Sequence, residues 1–353
     1  MNAVEAAKVT TADYEKIALL LQEYRGQSRE VNFWLERFVY WWDDNPFFRP
    51  GMTKGYVLRL AEDIVGFIGL IPMPFWMHGT EQITFSPAAW YVLPKFRGRA
   101  LTLYWSLLRE TSHTIQWNTT GNQRTCDLFM MLGMQLIPYT FSRRFIVYTG
   151  GTAYWHDRAL QRAWPMHLQW MLHAMQKKWA PRRFFAVEGM RVVQLHCVDA
   201  CFDRLWERTR SPTMATKVRS SEWLNWYCFG WSSRPKILFG CFQGDELEGY
   251  ALFHPRIVHG ELFWECLDVW TDSSQSCCGD ALFSFALVAM AQQGGKGLIS
   301  HDYPSIRGWL DRRFWKIVTR EDPGGYWTGP PEMLHKIYQG CHYFTLGEGD
   351  QGM

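Results

Sequence analysis

The stretch Leu93–Thr102, LPKFRGRALT, decides how the first half of the chain is interpreted. It places Lys95, Arg97 and Arg99 around Gly98, and an apolar run follows at once. A strand that ends before a glycine-containing turn and a helix leaves the first helix amides without internal partners, and the helix dipole favours an anion there. The cations add charge-assisted donors for phosphate. The stretch therefore predicts an anion site, with a solvated basic turn as the alternative.

Composition predicts a packed globular protein rather than a nucleic-acid or membrane protein. The chain has 353 residues, a length that suggests two domains. Hydrophobic residues make up 47% and charged residues 20%, a composition typical of a packed core. Its 37 Lys and Arg less 34 Asp and Glu give +3, too weak a bias for a nucleic-acid partner. The longest apolar run, 64–77, contains two prolines and is too short to span a bilayer. Nine Cys without a zinc-type pair predict reduced thiols, no metal and a cytoplasmic location.

Strand-like and helix-like segments alternate along the chain, which predicts a mixed α/β fold, and their order repeats. The Gly98-Arg99-Ala100 triplet matches Gly279-Asp280-Ala281, and earlier landmarks match in the same order. Between the copies lies a basic amphipathic segment with two prolines, interpreted as a connector, with a membrane-surface or partner helix as the alternative. We therefore predict two tandem domains, 1–150 and 191–353, joined by a helical connector at 151–190.

The segment Lys95-Phe96-Arg97-Gly98-Arg99-Ala100 resembles the pyrophosphate loop of the GNAT acyltransferase superfamily, usually Gln/Arg-x-x-Gly-x-Gly/Ala after a V-x-P strand end. Lys95 replaces the usual first residue. The superfamily's downstream spacing is kept at Asn122, Thr125, Phe129 and Gly133-Met134, although three residue types change. The resemblance implies a GNAT-like fold in which amides from Gly98 onward hold the pyrophosphate of coenzyme A and Asn122 lies near the pantetheine arm. The implied cofactor-binding residues are Val92, Lys95, Phe96, Arg97, Gly98, Arg99, Ala100 and Asn122.

The second half resembles GNAT-like proteins of bacterial polysaccharide and natural-product clusters. The resemblance rests on FDRLWERTR, SSEWLNWY, LEGYALF and the terminal YFTLGEGDQ. In the second half, the segment 276–281 corresponds to the pyrophosphate loop, but it carries no cation, and Asp280 would repel phosphate. The resemblance therefore implies that the first copy binds the cofactor and that the second copy has a degenerate site.

Four residues are candidates for the chemistry. The superfamily commonly uses a Tyr of the late helix as the acid, but Phe129 occupies that position here, so Tyr91 beside the loop is a substitute. Glu81 is the only carboxylate on the predicted central strand of the first copy and is a candidate base. Glu265 and Asp268 lie on the matching strand of the second copy. They are three residues apart, so we expect them on opposite faces.

The resemblance implies an acyltransferase, most plainly an N-acyltransferase. The donor would be acetyl-CoA or another acyl-CoA as co-substrate, or an acyl carrier protein. The acceptor would be an amine or hydroxyl of a small metabolite or sugar. Two other functions stay open: a Fem-like transferase that uses aminoacyl-tRNA, and a non-catalytic ligand-binding or scaffold protein.

Overall fold

A computed structural model describes residues 4–22, 24, 29–119, 123–137, 143–150, 153–154, 189–273, 277–313, 316–320, 325–346 and 353. The chain divides into two compact units, each built from separate stretches. Unit 1 comprises Met1–Pro138, Ser211–Arg234 and Pro323–Met353, and unit 2 comprises Tyr139–Arg210 and Pro235–Asp322. The contiguous division 1–150 and 191–353 expected from the sequence therefore differs from the division found. The expected connector, 151–190, lies outside the described residues except at 153–154 and 189–190.

Strands and helices alternate through the described ranges. The strands are β1 (Val4–Lys8), β2 (Gly55–Leu60), β3 (Asp63–Met77), β4 (Thr80–Val92), β5 (Gln116–Asn118), β6 (Gln135–Leu136), β7 (Arg143–Tyr148), β8 (Met190–Leu195), β9 (Met214–Lys217), β10 (Ile237–Gln243), β11 (Glu246–Val258), β12 (Glu261–Thr271), β13 (Gly297–His301), β14 (Lys316–Arg320), β15 (Tyr326–Thr328) and β16 (Cys341–His342). The helices are α1 (Tyr14–Leu21), α2 (Val31–Phe38), α3 (Ala100–Glu110), α4 (Gln123–Met131), α5 (Ala200–Thr209), α6 (Ser221–Phe229), α7 (Cys278–Gln292), α8 (Arg307–Asp311) and α9 (Pro331–Gln339). Short 3-10 turns cover Thr11–Asp13, Pro94–Arg99 and Pro304–Ile306, and a π-helical turn, Val39–Asp43, continues α2.

Unit 1 contains a sheet in the order β1-β2-β3-β4-β5-β15-β6, with β9 beside the end of β3 and β16 beside β9. Its central strands β4 and β5 are parallel. One face packs against α3 and α4 in a core that includes Ile68, Leu103 and Phe129. The other face packs against α2 and the π-helical turn, where Phe38 lies 5.9 Å from the ring of Phe67 and the Trp42 indole N–H donates to the Leu70 carbonyl at 2.8 Å. Helices therefore cover both faces.

Unit 2 contains a sheet in the order β14-β7-β13-β12-β11-β10-β8, with β12 and β13 parallel. The long helix α7 covers one face, where it packs on Phe253 and Trp264. On the other face, Phe202 of α5 lies 5.5 Å from Tyr250 of β11. This sheet, too, has a parallel pair at its centre between antiparallel neighbours.

The mixed α/β fold expected from the sequence is confirmed, but two elements pack elsewhere than expected. Strand β7, expected to end the first copy, pairs with β13 and β14 because Phe145 and Val147 on its buried face complete the core under α7. Helix α6, expected in the second copy, packs in unit 1, where Trp226 stacks on Tyr40 at 4.9 Å. Unit 1 in turn receives β15 from the far end of the chain.

No described helix has both the length and the apolar character needed to cross a membrane.

We expect Trp327→Ala to destabilise unit 1, although residue 327 lies far outside the first half of the sequence. Trp327 is fully buried, pairs with Trp117 of β5 and lies 5.3 Å from its ring. Removal of a buried Trp costs about 3 to 5 kcal/mol. Hydrogen exchange followed by mass spectrometry should show faster exchange in peptides of α3 and β5.

Trp105→Ala is the matched control, because Trp105 on α3 is 50% exposed and its truncation should change exchange little. If Trp327→Ala accelerated exchange only in β10 to β12, the assignment of β15 to unit 1 would be wrong.

Candidate functional site

The parallel strands β4 and β5 pair at one position only and then separate. The pair is Phe85 with Gln116, and the Phe85 amide donates to the Ile115 carbonyl at 3.0 Å. Alternation makes residue 87 the next donor on that side, but Pro87 has no N–H. Along the described ranges, no strand pairs with that side of β4 beyond Phe85. We call the space beside β4 from Ser86 to Val92, on its β5 side, the β4–β5 slot.

A strained residue lies in the middle of this slot. Ala89 has φ +51°, a left-handed conformation that costs a non-glycine residue about 1–2 kcal/mol. It belongs to a β-bulge, because Ala89 and Trp90 together face Ile68 between the pairs Gly69–Ala88 and Phe67–Tyr91. A bulge takes one residue out of the ladder and re-aims its backbone groups. Counted by alternation from Phe85 and Pro87, residue 89 is the next whose amide would face the slot.

Tyr104 of α3 joins the two strands beneath the slot. Its ring stacks on Trp90 of β4 at 4.9 Å. Its hydroxyl accepts from Gln116 Nε2 at 2.6 Å and donates to Asn118 Oδ1 at 3.3 Å, and both partners lie on β5. Burial raises the pKa of this hydroxyl well above its usual value, so it remains protonated. Sequence reasoning missed Tyr104, which reads only as part of the apolar stripe of α3.

The basic stretch itself forms the 3-10 turn Pro94–Arg99, which leads directly into α3. Lys95, Arg97 and Arg99 are exposed, and no described residue forms an ion pair with them. A Cβ placed on Gly98 would meet no atom within 4 Å. The cations and the open space are therefore available to a ligand.

One expectation about this turn needs correction. The resemblance implied that amides from Gly98 onward hold the pyrophosphate, but one of them, the Ala100 N–H, donates to the Arg97 carbonyl. Phe96 likewise donates to the Leu93 carbonyl at 2.8 Å. Pro94 at the first position sets a helical φ, and the tight turn that follows uses these amides internally. Val92 ends β4 as a buried residue just before the turn, and Asn122 lies outside the described residues.

The corresponding turn of unit 2 is closed by its own chain. A Cβ on Gly279 would lie 2.0 Å from the Ser305 carbonyl oxygen. The Asp280 carboxylate forms an ion pair with Arg312. Among the described residues, Ser305 thus fills the space beside Gly279, and the cation Arg312 is already paired with Asp280.

Glu265 and Asp268 share one face of β12, which corrects the expectation of opposite faces. His254 of β11 pairs with Glu265, and Leu252 pairs with Asp268. Residues 252 and 254 are two apart and lie on one face, so their partners do as well. A bulge at Leu267 supplies the extra residue that changes the alternation. Asp268 is fully buried and accepts a hydrogen bond from the Tyr250 hydroxyl at 2.6 Å.

Glu265 is the centre of an ion cluster in unit 2. Its carboxylate, 2% exposed, accepts from Arg144 Nη2 at 2.9 Å, from Arg256 Nη1 and from His254 Nε2 at 3.0 Å. Burial alone would raise the pKa of Glu265, but the bonds from His254 and Arg256 outweigh it and lower the pKa to about 2. A carboxylate held ionised in this way is a weak base, so the geometry favours a structural role.

The remaining candidates, Glu81 and Tyr91, lie at opposite ends of β4. Glu81 is exposed at the start of the strand, five residues and about 16 Å before the slot begins. Tyr91 is half-buried, contacts Tyr24 edge-on at 6.0 Å and lines a cavity of about 770 Å³. That cavity lies on the β3 side of β4, between α1 and the turn at Leu93 and Phe96, so it does not coincide with the slot.

No family model matches the chain, and no curated protein does. Solved structures do. A conserved protein of unknown function from Enterococcus faecalis V583, a probable N-acyltransferase, is 12% identical over 92% of this chain and 72% of its own, with TM-score 0.61. A GCN5-related N-acetyltransferase from Anabaena variabilis is 12% identical over the same shares, with TM-score 0.56. Saccharomyces cerevisiae N-myristoyltransferase with bound myristoyl-CoA is 13% identical over 93% of this chain and 78% of its own, with TM-score 0.55.

This likeness confirms the fold that the sequence resemblance implied: the chain has the fold of the GCN5-related N-acetyltransferase that it is similar to. Each unit has a parallel pair beside a bulged central strand, and the cationic turn follows the bulged strand of unit 1. Among the described side chains, no three His, Cys, Asp or Glu gather as metal ligands would.

We expect Glu265→Gln to destabilise the protein by about 3 to 5 kcal/mol at pH 7, because it breaks a buried ion cluster. The folded-state pKa is lowered from 4.5 to about 2. The stabilisation is therefore full above about pH 5 and is lost as the pH falls toward 2. The gap in free energy of unfolding between wild type and variant should narrow over that range, measured by urea unfolding at several pH values.

Glu246→Gln is the control in the same unit, since Glu246 is exposed and its pair with Arg208 should contribute less than about 1 kcal/mol. A gap between wild type and Glu265→Gln that stayed constant down to pH 2 would contradict the ion-cluster assignment.

Proposed function

We propose that this protein transfers an acyl group from the thioester of coenzyme A to an amine or hydroxyl of a small metabolite or sugar. Unit 1 holds the donor, and unit 2 has no functional cofactor site. The observation that supports this most is the joint presence in unit 1 of an open cationic turn and a strand edge with which no described strand pairs. The turn suits phosphates, and the edge suits an extended chain that carries amides.

The dimensions of the slot fit the pantetheine arm. About thirteen chain atoms separate the pyrophosphate from the sulfur, which gives roughly 15 Å when extended, at about 3.5 Å for every three atoms. Strand β4 rises about 3.3 Å per residue. A pyrophosphate beside the turn after Val92 would therefore place the sulfur four to five residues back, next to Ala88 and the bulge. The two amides of the arm would pair with β4 in the manner of an added strand.

The bulge would then act on the thioester. The Ala89 amide, re-aimed toward the slot, would donate to the carbonyl oxygen as negative charge develops on it. The strain at Ala89 fits this role, since strained backbone is concentrated at functional sites. The buried Tyr104 hydroxyl stays protonated, and by turning its O–H away from Asn118 Oδ1 it would stabilise the departing thiolate in place of the Tyr that Phe129 replaces.

The acceptor and the compartment are further parts of the proposal. An amine acceptor, and hence N-acyl transfer, is our first choice, and an acyl carrier protein is an alternative donor that the exposed cations would also suit. We place the reaction in the cytoplasm, because all nine cysteines are free. Glu81 is too far from the slot along β4 to serve as the base, and we assign it no role.

Isothermal titration with coenzyme A tests the donor site. Gly98→Val should abolish binding, because its side chain fills the space that the pyrophosphate needs, yet leave stability nearly unchanged. Arg97→Ala or Arg99→Ala should each weaken binding about 10- to 150-fold, by roughly 1.5–3 kcal/mol. The loss should shrink at high salt.

Arg109→Ala is the matched control, because it removes an exposed cation at the other end of α3. Unchanged affinity in Gly98→Val and in the double variant Arg97→Ala/Arg99→Ala would reduce the stretch to an ordinary basic turn. Mass spectrometry of reactions with a panel of acyl-CoAs and amines then tests transfer. Coenzyme A binding without any transfer would favour the non-catalytic alternative.

A further inference from the structure

The point where β4 and β5 meet is filled by side chains on both faces of the sheet. We call this point the apex; it consists of the pair Phe85–Gln116 and the residues Ser86 and Trp117 next to it. On the α3 face, Gln116 is fully buried and bonded to Tyr104. On the other face, Trp117 is 2% exposed, and the Ser86 hydroxyl donates to its carbonyl at 3.3 Å. The slot therefore ends in packed protein.

Trp117 is the centre of the aromatic group on that second face. Its ring lies 4.9 Å from Phe75, 5.3 Å from Trp327 and 5.5 Å from Phe344. Each of these neighbours is also buried. Because cores are close-packed and tolerate little extra volume, such a group cannot admit an alkyl chain without displacing a ring.

We propose that Trp117 sets an upper limit on the length of the donor's acyl chain. This inference rests on the proposed function, which places the sulfur beside Ala88. Ala88 is two residues from Ser86, so about 7 Å remain between the sulfur and the apex. An acetyl or butyryl group fits in that length, whereas an octanoyl chain would reach Trp117.

The cavity of about 770 Å³ does not provide another path for a long chain. Its lining includes Ile64 and Val65 of β3 and Leu20 of α1, all on the far side of β4 from the slot. A chain attached at the slot would have to cross the backbone of β4 to enter it. Within the part of the chain that the structure describes, a long acyl group would therefore push into the apex or pull the thioester out of the slot.

Titration with acetyl-, butyryl- and octanoyl-CoA tests this limit. We expect wild type to bind acetyl- and butyryl-CoA about equally and octanoyl-CoA at least about tenfold more weakly, the effect of losing roughly one hydrogen bond in the slot. Trp117→Ala should bring octanoyl-CoA to within about threefold of acetyl-CoA. Trp105→Ala, which truncates an exposed Trp of the same unit, should behave as wild type.

A milder variant tests the same limit in case Trp117→Ala does not fold. Trp117→Phe keeps an aromatic ring in the group and should reduce the discrimination against octanoyl-CoA by a smaller factor. Equal affinity of wild type for octanoyl- and acetyl-CoA would overturn the inference. So would octanoyl binding that Leu20→Trp abolishes, because the cavity would then hold the chain.

The outcomes separate this inference from the function on which it rests. If coenzyme A itself fails to bind, both the proposed function and the chain-length limit are wrong. If coenzyme A binds and wild type does not discriminate by chain length, only the limit is wrong.

Discussion

The arrangement of unit 1 depends on the separation of two parallel strands after a single pair. A strand edge without partners inside a sheet leaves backbone groups that must find other partners, and it invites the strands to close. Pro87 opposes closure, because it removes the next N–H donor that would extend the ladder past Phe85. The bulge at Ala89 then turns the next backbone groups away from the regular register. The slot is therefore determined by residues of the sequence, Pro87 and the bulge at Ala89, and does not need a ligand to form.

What holds the separated strands is a chain of neutral hydrogen bonds. The Thr111 hydroxyl donates to Gln116 Oε1 at 3.2 Å, Gln116 Nε2 donates to Tyr104, and Tyr104 donates to Asn118. These four side chains are buried, and each link satisfies a group that would otherwise cost about 1–3 kcal/mol. Unit 2 also has a parallel pair, β12 and β13, and there Glu265 of β12 forms a charged cluster with His254 and Arg256 of β11 and Arg144 of β7. The hydrogen bonds at the apex of unit 1 therefore involve no ionised group, whereas the cluster of unit 2 depends on the ionised carboxylate of Glu265.

The sequence was sufficient to predict the mixed α/β fold, its repeated order and the exposed cationic turn, because these follow from local periodicity and turn residues. The sequence was not sufficient to place β7 and β15. A short apolar run indicates that a strand will be buried, but it does not indicate in which sheet the strand will lie. The bulge at Leu267 is equally silent in the sequence, and one extra residue reversed the expected face of Asp268. Glu265 was visible as a carboxylate on a strand, but the partners that lower its pKa come from β11 and, in Arg144, from a strand expected in the other domain. Pro87 is a signal in the sequence for an unpaired strand edge, because proline has no backbone N–H to donate.

Gly98 and Gly279 show why a loop motif alone does not define a site. Both follow a bulged central strand and lie at the start of a helix, Gly98 in the turn just before α3 and Gly279 at the second residue of α7. A Cβ at Gly98 would enter open space beside three exposed cations, whereas a Cβ at Gly279 would collide with the Ser305 carbonyl. At Gly279 the missing side chain makes room for the protein's own 3-10 turn, Pro304–Ile306, and Arg312 neutralises Asp280. In unit 2 the missing side chain of Gly279 thus lets another segment of the protein pack closely, whereas in unit 1 the missing side chain of Gly98 leaves room for a ligand. The difference is that Pro304–Ile306 packs against Gly279.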